Sequence, residues 1–252
     1  MNNTLIKGLQ LLEVLVARDG AMGVSELATE LGMARSNVHR LLQALVDMGY
    51  AVNDGGRGSY RASLKVWELG ARALHRLDFR EAAAPAMRWL LAESNETVHL
   101  SVLSGEEVIY IDKLDSPEPV RAYSAIGGRA PAYCVATGKV LLAWRDERVD
   151  AVWTQRKLHR YTPSTLADTG ALTIELAQVR QQGYAVNRGE WRASVWGIAA
   201  PVLTVNGLAA AAIGISGPAA RVRARGVRKM TALVVEAARQ ASVLLARGNP
   251  LA

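Results

Sequence analysis

The sequence predicts two domains: a mostly-α winged helix-turn-helix domain, then a linker helix, and an α+β domain with an antiparallel sheet. Three observations lead to this prediction. Apolar residues at helical spacing flank a glycine turn within residues 24–50. A Gly-rich turn with short strand-like runs on either side follows directly. From residue 97 onward, β-branched runs alternate with helical segments, which is typical of α+β domains. We set the boundaries at residues 1–63, 64–78 and 79–252.

The N-terminal part reads as three helices. The first is an apolar stripe over residues 4–18, and Ser25 is expected to cap the second helix. Ala28 falls where two helices approach closely, and Gly32 falls where the turn needs a positive φ. The third helix follows Gly32 and runs to about Met48. This spacing is typical of a helix-turn-helix whose second helix enters the DNA major groove, although an ordinary helical hairpin in an enzyme is the alternative.

A β-hairpin is predicted directly after the third helix. Its strands are residues 50–52 and 59–62, joined by the turn cluster of residues 53–58. Because the hairpin carries Arg57 and Arg61, it is expected to lie as a wing along the phosphate backbone. The apolar residues that follow Ser63 predict a helix that connects the two domains.

The second domain is predicted to contain helices around an antiparallel sheet. Pro85 marks the start of its first helix, Asn206-Gly207 indicates a two-residue type I′ turn, and Pro218 opens a single long helix ending near Arg247. The remaining expected elements are strands at residues 97–103, 107–114, 120–124, 184–187, 195–205 and 208–216, and helices at residues 135–144 and 171–182.

Composition excludes several protein classes. No apolar run approaches the ~20 residues of a membrane span, and the N-terminus lacks the apolar core of a secretion signal, so a cytoplasmic protein is expected. A single cysteine, Cys134, excludes a disulfide framework and a multi-cysteine zinc site. The net charge of +7 suits a polyanionic partner, but the excess of basic over acidic residues is concentrated only between Arg35 and Lys65.

The start of the third helix offers side chains that can read DNA. Arginine can donate two hydrogen bonds to guanine, and asparagine can pair with adenine. We expect Arg35, Ser36 and Asn37 to approach bases, while Val38 faces the core. The residues assigned to phosphates are Arg40, Arg57 and Arg61, and Ser25 and His39 complete the predicted DNA-binding set. The alternative interpretation is a solvated polar face.

The order of these features resembles the IclR-type bacterial transcriptional regulators over nearly the whole chain. The N-terminal resemblance rests on Lys7-Gly8-Leu9, Ser25-Glu26-Leu27-Ala28, Arg35-Ser36-Asn37-Val38-His39-Arg40-Leu41-Leu42 and Gly49-Tyr50. In the second half it rests on Gly128-Arg129-Ala130-Pro131, Ala136-Thr137-Gly138-Lys139, Gly183-Tyr184-Ala185-Val186-Asn187, Gly197-Ile198-Ala199-Ala200-Pro201 and Ser216-Gly217-Pro218. The resemblance implies a double-stranded DNA operator, a GAF/PAS-like domain that binds a small-molecule effector, and a homodimer or a dimer of dimers.

The resemblance also implies an effector site. Matched residue by residue, it comprises Ala130, Ala136, Thr137, Asn187, Val195, Gly197, Gly214 and Ser216. Thr137 lies near a helix start, where free N–H groups favour a carboxylate. The chain has Asn187 where relatives can have an acid and Gly214 where they can have serine. Together with Tyr123, Tyr133, Trp191 and Trp196, these differences favour a larger, aromatic carboxylate, although tryptophans are common in cores and interfaces.

Catalytic and metal sites are not expected. Cys134 with His99 or His159 shows no local spacing typical of a nucleophile and base, or of a metal site. We therefore predict no enzyme activity, no cofactor and no metal. The alternative function is a small-molecule enzyme whose N-terminal winged helix has a regulatory role. The basic residues of the last helical region, between Arg221 and Lys229, are interpreted as a solvated or intersubunit face.

Overall fold

The computed structural model describes residues 3–54, 58–75, 78–145 and 157–248. Backbone contacts divide the chain into two compact units, Met1–Arg76 and Leu77–Ala252. Arg57 of the predicted wing lies outside the described residues. The predicted class, a helical unit with a small sheet followed by an α+β unit, is confirmed.

The first unit packs helices against a three-stranded sheet. Its elements are α1 (Asn3–Ala17), β1 (Met22–Gly23), α2 (Val24–Leu31), α3 (Arg35–Asp47), β2 (Ala51–Asn53), β3 (Ser59–Ala62) and α4 (Leu64–His75). The sheet order is β1-β3-β2 and all pairing is antiparallel. The core contains the apolar faces of α1, α2 and α3, including Leu11, Leu27 and Leu42, each with no exposed surface. Strand β1 was not predicted, because two residues carry no periodic pattern.

One expectation for α2 is wrong. Gly23, not Ser25, is the N-cap residue, and its N–H donates to Glu26 Oε2 at 2.8 Å. Ser25 lies in the exposed first turn of the helix. The Glu26 carboxylate, from inside the first turn, therefore accepts the hydrogen bond of a free N–H group at the helix start, and the Ser25 hydroxyl is left on the surface.

The second unit is built on a six-stranded antiparallel sheet. Its elements are α5 (Asp78–Ser94), β4 (Thr97–Ser104), β5 (Glu107–Leu114), β6 (Arg129–Pro131), a 3₁₀ turn (Ala132–Cys134), α6 (Ala136–Ala143), α7 (Thr169–Gln182), β7 (Ala185–Arg188), β8 (Val195–Leu203), β9 (Ala209–Pro218), α8 (Ala219–Ala224) and α9 (Val227–Gly248). The strand order is β6-β5-β4-β9-β8-β7. Residues 197–202 of β8 are all buried, which requires cover on both faces of the sheet. Helices α5 and α9 pack together; α9 covers β8 and β9, and α5 covers β4, β5 and β9. On the other side, α6 packs on β8, β9 and α7.

Four expectations for this unit are wrong. Residues 120–124 form no strand, because side chains bind their carbonyls: Arg221 donates to Val120 O at 2.7 Å and Lys113 to Ser124 O at 2.8 Å. The edge of the sheet beside β5 is instead β6, which was not predicted. Pro85 lies inside α5, since three alanines with high helix propensity carry the helix through residues 82–84.

The two other wrong expectations concern the chain around Gly207 and Gly226. The β8–β9 connection is wider than a two-residue turn, since strand pairing stops at Leu203 and Gly207 N–H donates to Thr204 O at 3.0 Å. The last helical region is divided into α8 and α9 at Gly226, whose φ of +87° cannot continue a right-handed helix. The predicted hairpin between β4 and β5 is present, but its connection is residues 105–106 rather than the expected residues 104–106, because Ser104 pairs with Glu107.

Candidate functional site

The turn between α2 and α3 has the geometry that the sequence predicts. Gly32 adopts a left-handed conformation, with φ of 60° and ψ of 36°, and Met33 N–H donates to Ala28 O at 2.9 Å. Ala28 is buried, so α2 can lie close to its neighbours in the core. This left-handed glycine ends α2 and reverses the chain into α3.

Helix α3 presents a polar outer face. Arg35, Ser36, His39 and Arg40 are exposed and Asn37 is half-buried. The inner face consists of Val38, Leu41 and Leu42, which are buried. Arg40 Nη2 donates to Asn37 Oδ1 at 3.3 Å, which places these two side chains together on the outer face. The residues proposed from the sequence to read DNA therefore lie on one accessible surface.

The wing contributes one described arginine. Arg61 on β3 is exposed, and its Nε lies 3.5 Å from Asp54 Oδ1. An exposed ion pair of this kind is worth little, so a phosphate can replace Asp54 as the partner of Arg61.

The second unit contains a cavity whose floor is a row of residues across five strands. Asn187 on β7 and Ser216 on β9 are both cross-strand neighbours of Gly197 on β8. His99 on β4 and Tyr110 on β5 continue the row. A Cβ atom at Gly197 would lie 3.1 Å from Ile215 O and 3.8 Å from Ala136 Cβ. The missing side chain at position 197 therefore leaves space between the sheet and the start of α6.

The cavity lies beneath the N-terminus of α6 and is closed by two irregular segments. Ala136 and Thr137 come from the helix start, Tyr123 and Ser124 from the segment between β5 and β6, and Arg192 from the turn before β8. The empty volume is about 530 Å³, part of which is open to solvent. The other lining residues are Ala122, Val135, Trp191, Val195 and Ile215.

His99 is held neutral at the centre of the floor. Its Nε2 lies 2.7 Å from Ser216 Oγ and its Nδ1 lies 3.4 Å from Ser124 Oγ. Burial, followed by the charge of Lys113, lowers the pKa of His99 to about 4, although Asp115 opposes this shift. Burial also raises the pKa of Tyr110 to about 12.

Arg192 carries the charge of the cavity at neutral pH. Its guanidinium carbon lies 4.6 Å from the centre of the Trp191 ring, in a cation–π arrangement. No acidic side chain occurs among the described residues that line the cavity. This combination of one guanidinium, a helix N-terminus and hydroxyl groups suits an anionic ligand.

Six of the eight residues in the implied effector site line this cavity: Ala136, Thr137, Asn187, Val195, Gly197 and Ser216. The structure places the other two elsewhere. Ala130, on β6, points into the core, and a Cβ at Gly214 would lie 2.5 Å from Ile198 O, so β8 fills that position.

Sequence reasoning missed several lining residues, including His99, Tyr110, Ser124 and Arg192. His99 alternates along β4 with the buried Val98 and Leu100, which is the signal that could have placed it on the other face of the sheet. Among the aromatic residues noted from the sequence, Tyr123 and Trp191 line the cavity. Tyr133 donates instead to His159 O, and Trp196 stacks against Arg223.

Lys139 joins several of the elements that surround the cavity. The side chain is fully buried, and its Nζ lies 2.8 Å from Glu175 Oε1, 2.9 Å from Glu190 Oε1 and 2.8 Å from Val186 O. These bonds join α6, α7, β7 and the turn that carries Arg192. Burial raises the pKa of Glu190, although Lys139 opposes this shift.

Other reactive groups do not form a site. Cys134 is buried, and burial raises the pKa of its thiol to about 12, which suppresses the reactive thiolate. Across residues 3–54, 58–75, 78–145 and 157–248, no three His, Cys, Asp or Glu side chains are grouped to hold a metal ion. Within the same ranges, no helix has the length and apolarity needed to cross a membrane.

Comparison with known proteins gives matches to both units. A family profile described as "IclR helix-turn-helix domain" matches residues 4–55, and one described as "Bacterial transcriptional regulator IclR C-terminal" matches residues 71–243. The chain is 36% identical over 241 residues to the HTH-type transcriptional regulator KdgR of Escherichia coli (strain K12), covering 95% of this chain and 91% of KdgR.

Two further comparisons cover nearly the whole chain. The transcriptional repressor IclR of the same E. coli strain is 32% identical over 249 residues, which is 98% of this chain and 90% of the repressor. A crystal structure of an IclR homologue from Microbacterium hydrocarbonoxydans, complexed with 4-hydroxybenzoate, superposes with a TM-score of 0.85 and 26% identity over 97% of this chain and 100% of the other. The two named relatives are transcriptional regulators, in agreement with the prediction that this chain is not an enzyme.

Proposed function

Because the chain belongs to the IclR family of DNA-binding bacterial transcriptional regulators, we propose that a small carboxylate bound in the sheet cavity controls its affinity for an operator. The observation that carries this proposal is the lining of the cavity: Arg192, hydroxyl groups and a helix N-terminus, without an acidic side chain among the described residues. We assign DNA binding to residues 1–63, the linker to residues 64–78 and effector binding to residues 79–252.

The DNA-binding role is assigned to the outer face of α3 and to the wing. Arg35, Ser36 and Asn37 are proposed to contact base edges, because they begin the helix that a helix-turn-helix inserts into the major groove. Arg40 is proposed to contact a phosphate, with Arg57 and Arg61 on the wing in the same role. Ser25 and His39 complete the proposed set; both are exposed.

The effector is proposed to place its carboxylate at the start of α6. The first N–H groups of a helix have no intrahelical partner, and the helix dipole favours negative charge there. Thr137 adds a hydroxyl and Arg192 adds a positive charge at the cavity mouth, while Asn187 and Ser216 offer polar groups from the floor.

An aromatic carboxylate is the more specific form of the proposal. Tyr110, Tyr123 and Trp191 line the cavity and provide faces for a ring. The similar protein from M. hydrocarbonoxydans is complexed with 4-hydroxybenzoate, which is an aromatic carboxylate. Both observations favour a ring-bearing effector for this chain.

The protein is proposed to act as a dimer or a dimer of dimers. Helix α4 has strongly exposed apolar side chains, with Leu64 77% and Trp67 71% exposed, which suits contact with a second copy. A dimer would bind two operator half-sites. By thermodynamic linkage, an effector that changes operator affinity must have its own affinity changed by DNA to the same factor.

The proposal is tested on the full chain with a defined set of compounds. Calorimetric titration with 4-hydroxybenzoate and with benzoate should show binding, while 4-hydroxybenzamide, which lacks the charge, should bind more weakly. Thr137→Val should weaken binding of the carboxylates selectively, and Thr173→Val, on the exposed surface of α7, should leave binding unchanged. If the amide binds as well as the acid, or if neither acid nor a wider set of carboxylates binds, a carboxylate effector is contradicted.

A further inference from the structure

The first turns of α1 meet the first turns of α3 in a polar concave surface, here called the α1–α3 groove. All of its lining residues are polar or basic: Asn3, Thr4, Lys7, Ser36, Asn37 and Arg40. Within the described part of the chain, no aspartate or glutamate lines it. The α1–α3 groove therefore combines two cations with uncharged hydrogen-bonding groups.

Helix packing explains why residues of α1 lie beside the outer face of α3. A Cβ at Gly8 would lie 3.9 Å from Leu41 Cδ2, so the two helices are close at this point. Lys7 precedes Gly8 and lies beside Arg40 in the groove. Asn3 and Lys7 are four residues apart, which puts them on the same side of the helix. The Lys7-Gly8 pair noted in the sequence thus brings a cation to α3.

The environment of Lys7 differs from that of the other lysines that are not fully exposed. Lys65, Lys113 and Lys139 each donate a hydrogen bond to an oxygen atom. Lys7 is half-buried and, within the described residues, makes no side-chain hydrogen bond or ion pair. The partner of Arg40 is the uncharged Asn37 Oδ1. A groove with two cations and no carboxylate is suited to an external anion.

We propose that Lys7, with Asn3 and Thr4, binds a phosphate of the DNA backbone next to the phosphate bound by Arg40. Helix α1 then extends the DNA contact beyond α3 and the wing. This inference rests on the proposed DNA-binding role of the outer face of α3. A phosphate fits better than a base edge, because lysine is a point charge that contributes affinity and position without sequence readout.

The test measures how DNA affinity depends on salt. Two fluorescent duplexes of equal length are used: one selected from a random pool by the wild-type protein, and one of unrelated sequence. Each neutralised phosphate contributes about 0.9 to the slope of log K against log salt concentration. Lys7→Gln should therefore reduce the slope by about 0.9 and should weaken binding to both duplexes by a similar factor. Lys7→Arg should retain the wild-type slope.

A matched control separates a local contact from net charge. Lys229→Gln removes the same charge from an exposed position on α9 and should leave the slope unchanged. Circular dichroism should show the same helical content for all variants. A slope equal to that of the wild type for Lys7→Gln, with a reduced slope for Arg40→Ala, overturns this inference and retains the role of α3. Unchanged slopes for both variants overturn the proposed DNA-binding face as well.

A second measurement removes the charge from the DNA as well as from the protein. Replacing single phosphates of the selected duplex by uncharged methylphosphonates should identify one position that weakens the wild type and Lys7→Arg, but has little further effect on Lys7→Gln. If no position shows this loss of additivity, Lys7 does not contact a phosphate.

Discussion

Lys139→Met tests whether this single lysine balances the carboxylates of Glu175 and Glu190. The change removes an ammonium group with no exposed surface and leaves Glu190, whose side chain is 7% exposed, without its cation. Glu175 is 23% exposed and remains partly hydrated, so most of the cost arises at Glu190. Removing one partner of a buried ion pair typically costs about 3–5 kcal/mol. We expect a loss near the lower limit, about 3 kcal/mol at pH 8.

The loss should depend on pH in a defined direction. Burial already raises the pKa of Glu190, and Lys139 is the main opposing influence. Without Lys139 the pKa of Glu190 rises further, so the native state holds a proton that the unfolded state releases. Stability then falls as pH rises above the ordinary carboxyl value and through the raised pKa of the native state. The difference between Lys139→Met and the wild type should therefore be smaller at pH 5 than at pH 8.

Urea unfolding followed by tryptophan fluorescence measures this effect, because five of the six tryptophans lie in the second unit. Lys139→Met combined with Glu190→Gln removes the unpaired charge and should recover much of the loss. The control is Arg239→Met, which breaks the exposed ion pair with Glu236 and should hardly change the midpoint. A loss below about 1 kcal/mol for Lys139→Met, equal at both pH values, would refute the argument.

Three further changes are expected to have effects of known sign. Arg40→Ala should weaken binding to every duplex and reduce the salt slope by about 0.9, measured by fluorescence anisotropy; a change confined to one sequence would assign Arg40 to a base. Because burial lowers the pKa of His99 to about 4, stability should fall by up to about 3 kcal/mol as pH falls from about 6.5 to 4. His99→Gln should flatten that part of a thermal-unfolding pH profile, and an unchanged profile would contradict the assignment. Gly138→Ala places a methyl group 2.2 Å from Ala132 O, so urea unfolding should show a loss of about 3 kcal/mol, whereas Gly70→Ala, with open space around it, should show none.

The helix-turn-helix could be predicted from sequence because its signals are local. Ala28, Gly32 and Val38 lie within eleven residues, and each reports a requirement of the same short motif. The prediction that Ser25 caps α2 was wrong because local signals do not choose between two candidate side chains. Serine and glutamate near a helix start both indicate an N-terminus, but only the packed structure decides which side chain satisfies the free N–H groups.

The cavity was harder to predict because strand register assembles it. Asn187, Gly197 and Ser216 came from the family resemblance, and their alignment across three strands depends on pairing that sequence patterns do not specify. Arg192 comes from a turn without periodicity, and its place at the cavity mouth depends on the chain around it. Residues 120–124 have strand-like composition, yet long side chains from elsewhere take their carbonyls.

Because the imidazole of His99 is neutral, its proton can lie on either ring nitrogen, and this decides whether Ser216 donates to a ligand or accepts from it. If Nδ1 carries the proton and donates to Ser124, Nε2 accepts from the Ser216 hydroxyl, and Ser216 can then accept a bond from a ligand. If Nε2 carries the proton, Ser216 accepts from the ring and its own hydrogen can point to a ligand oxygen. A single proton shift within the ring thus lets one site receive either a hydroxyl or a carbonyl group. For the proposed effector, discrimination at Ser216 would therefore depend on shape and charge more than on donor or acceptor character.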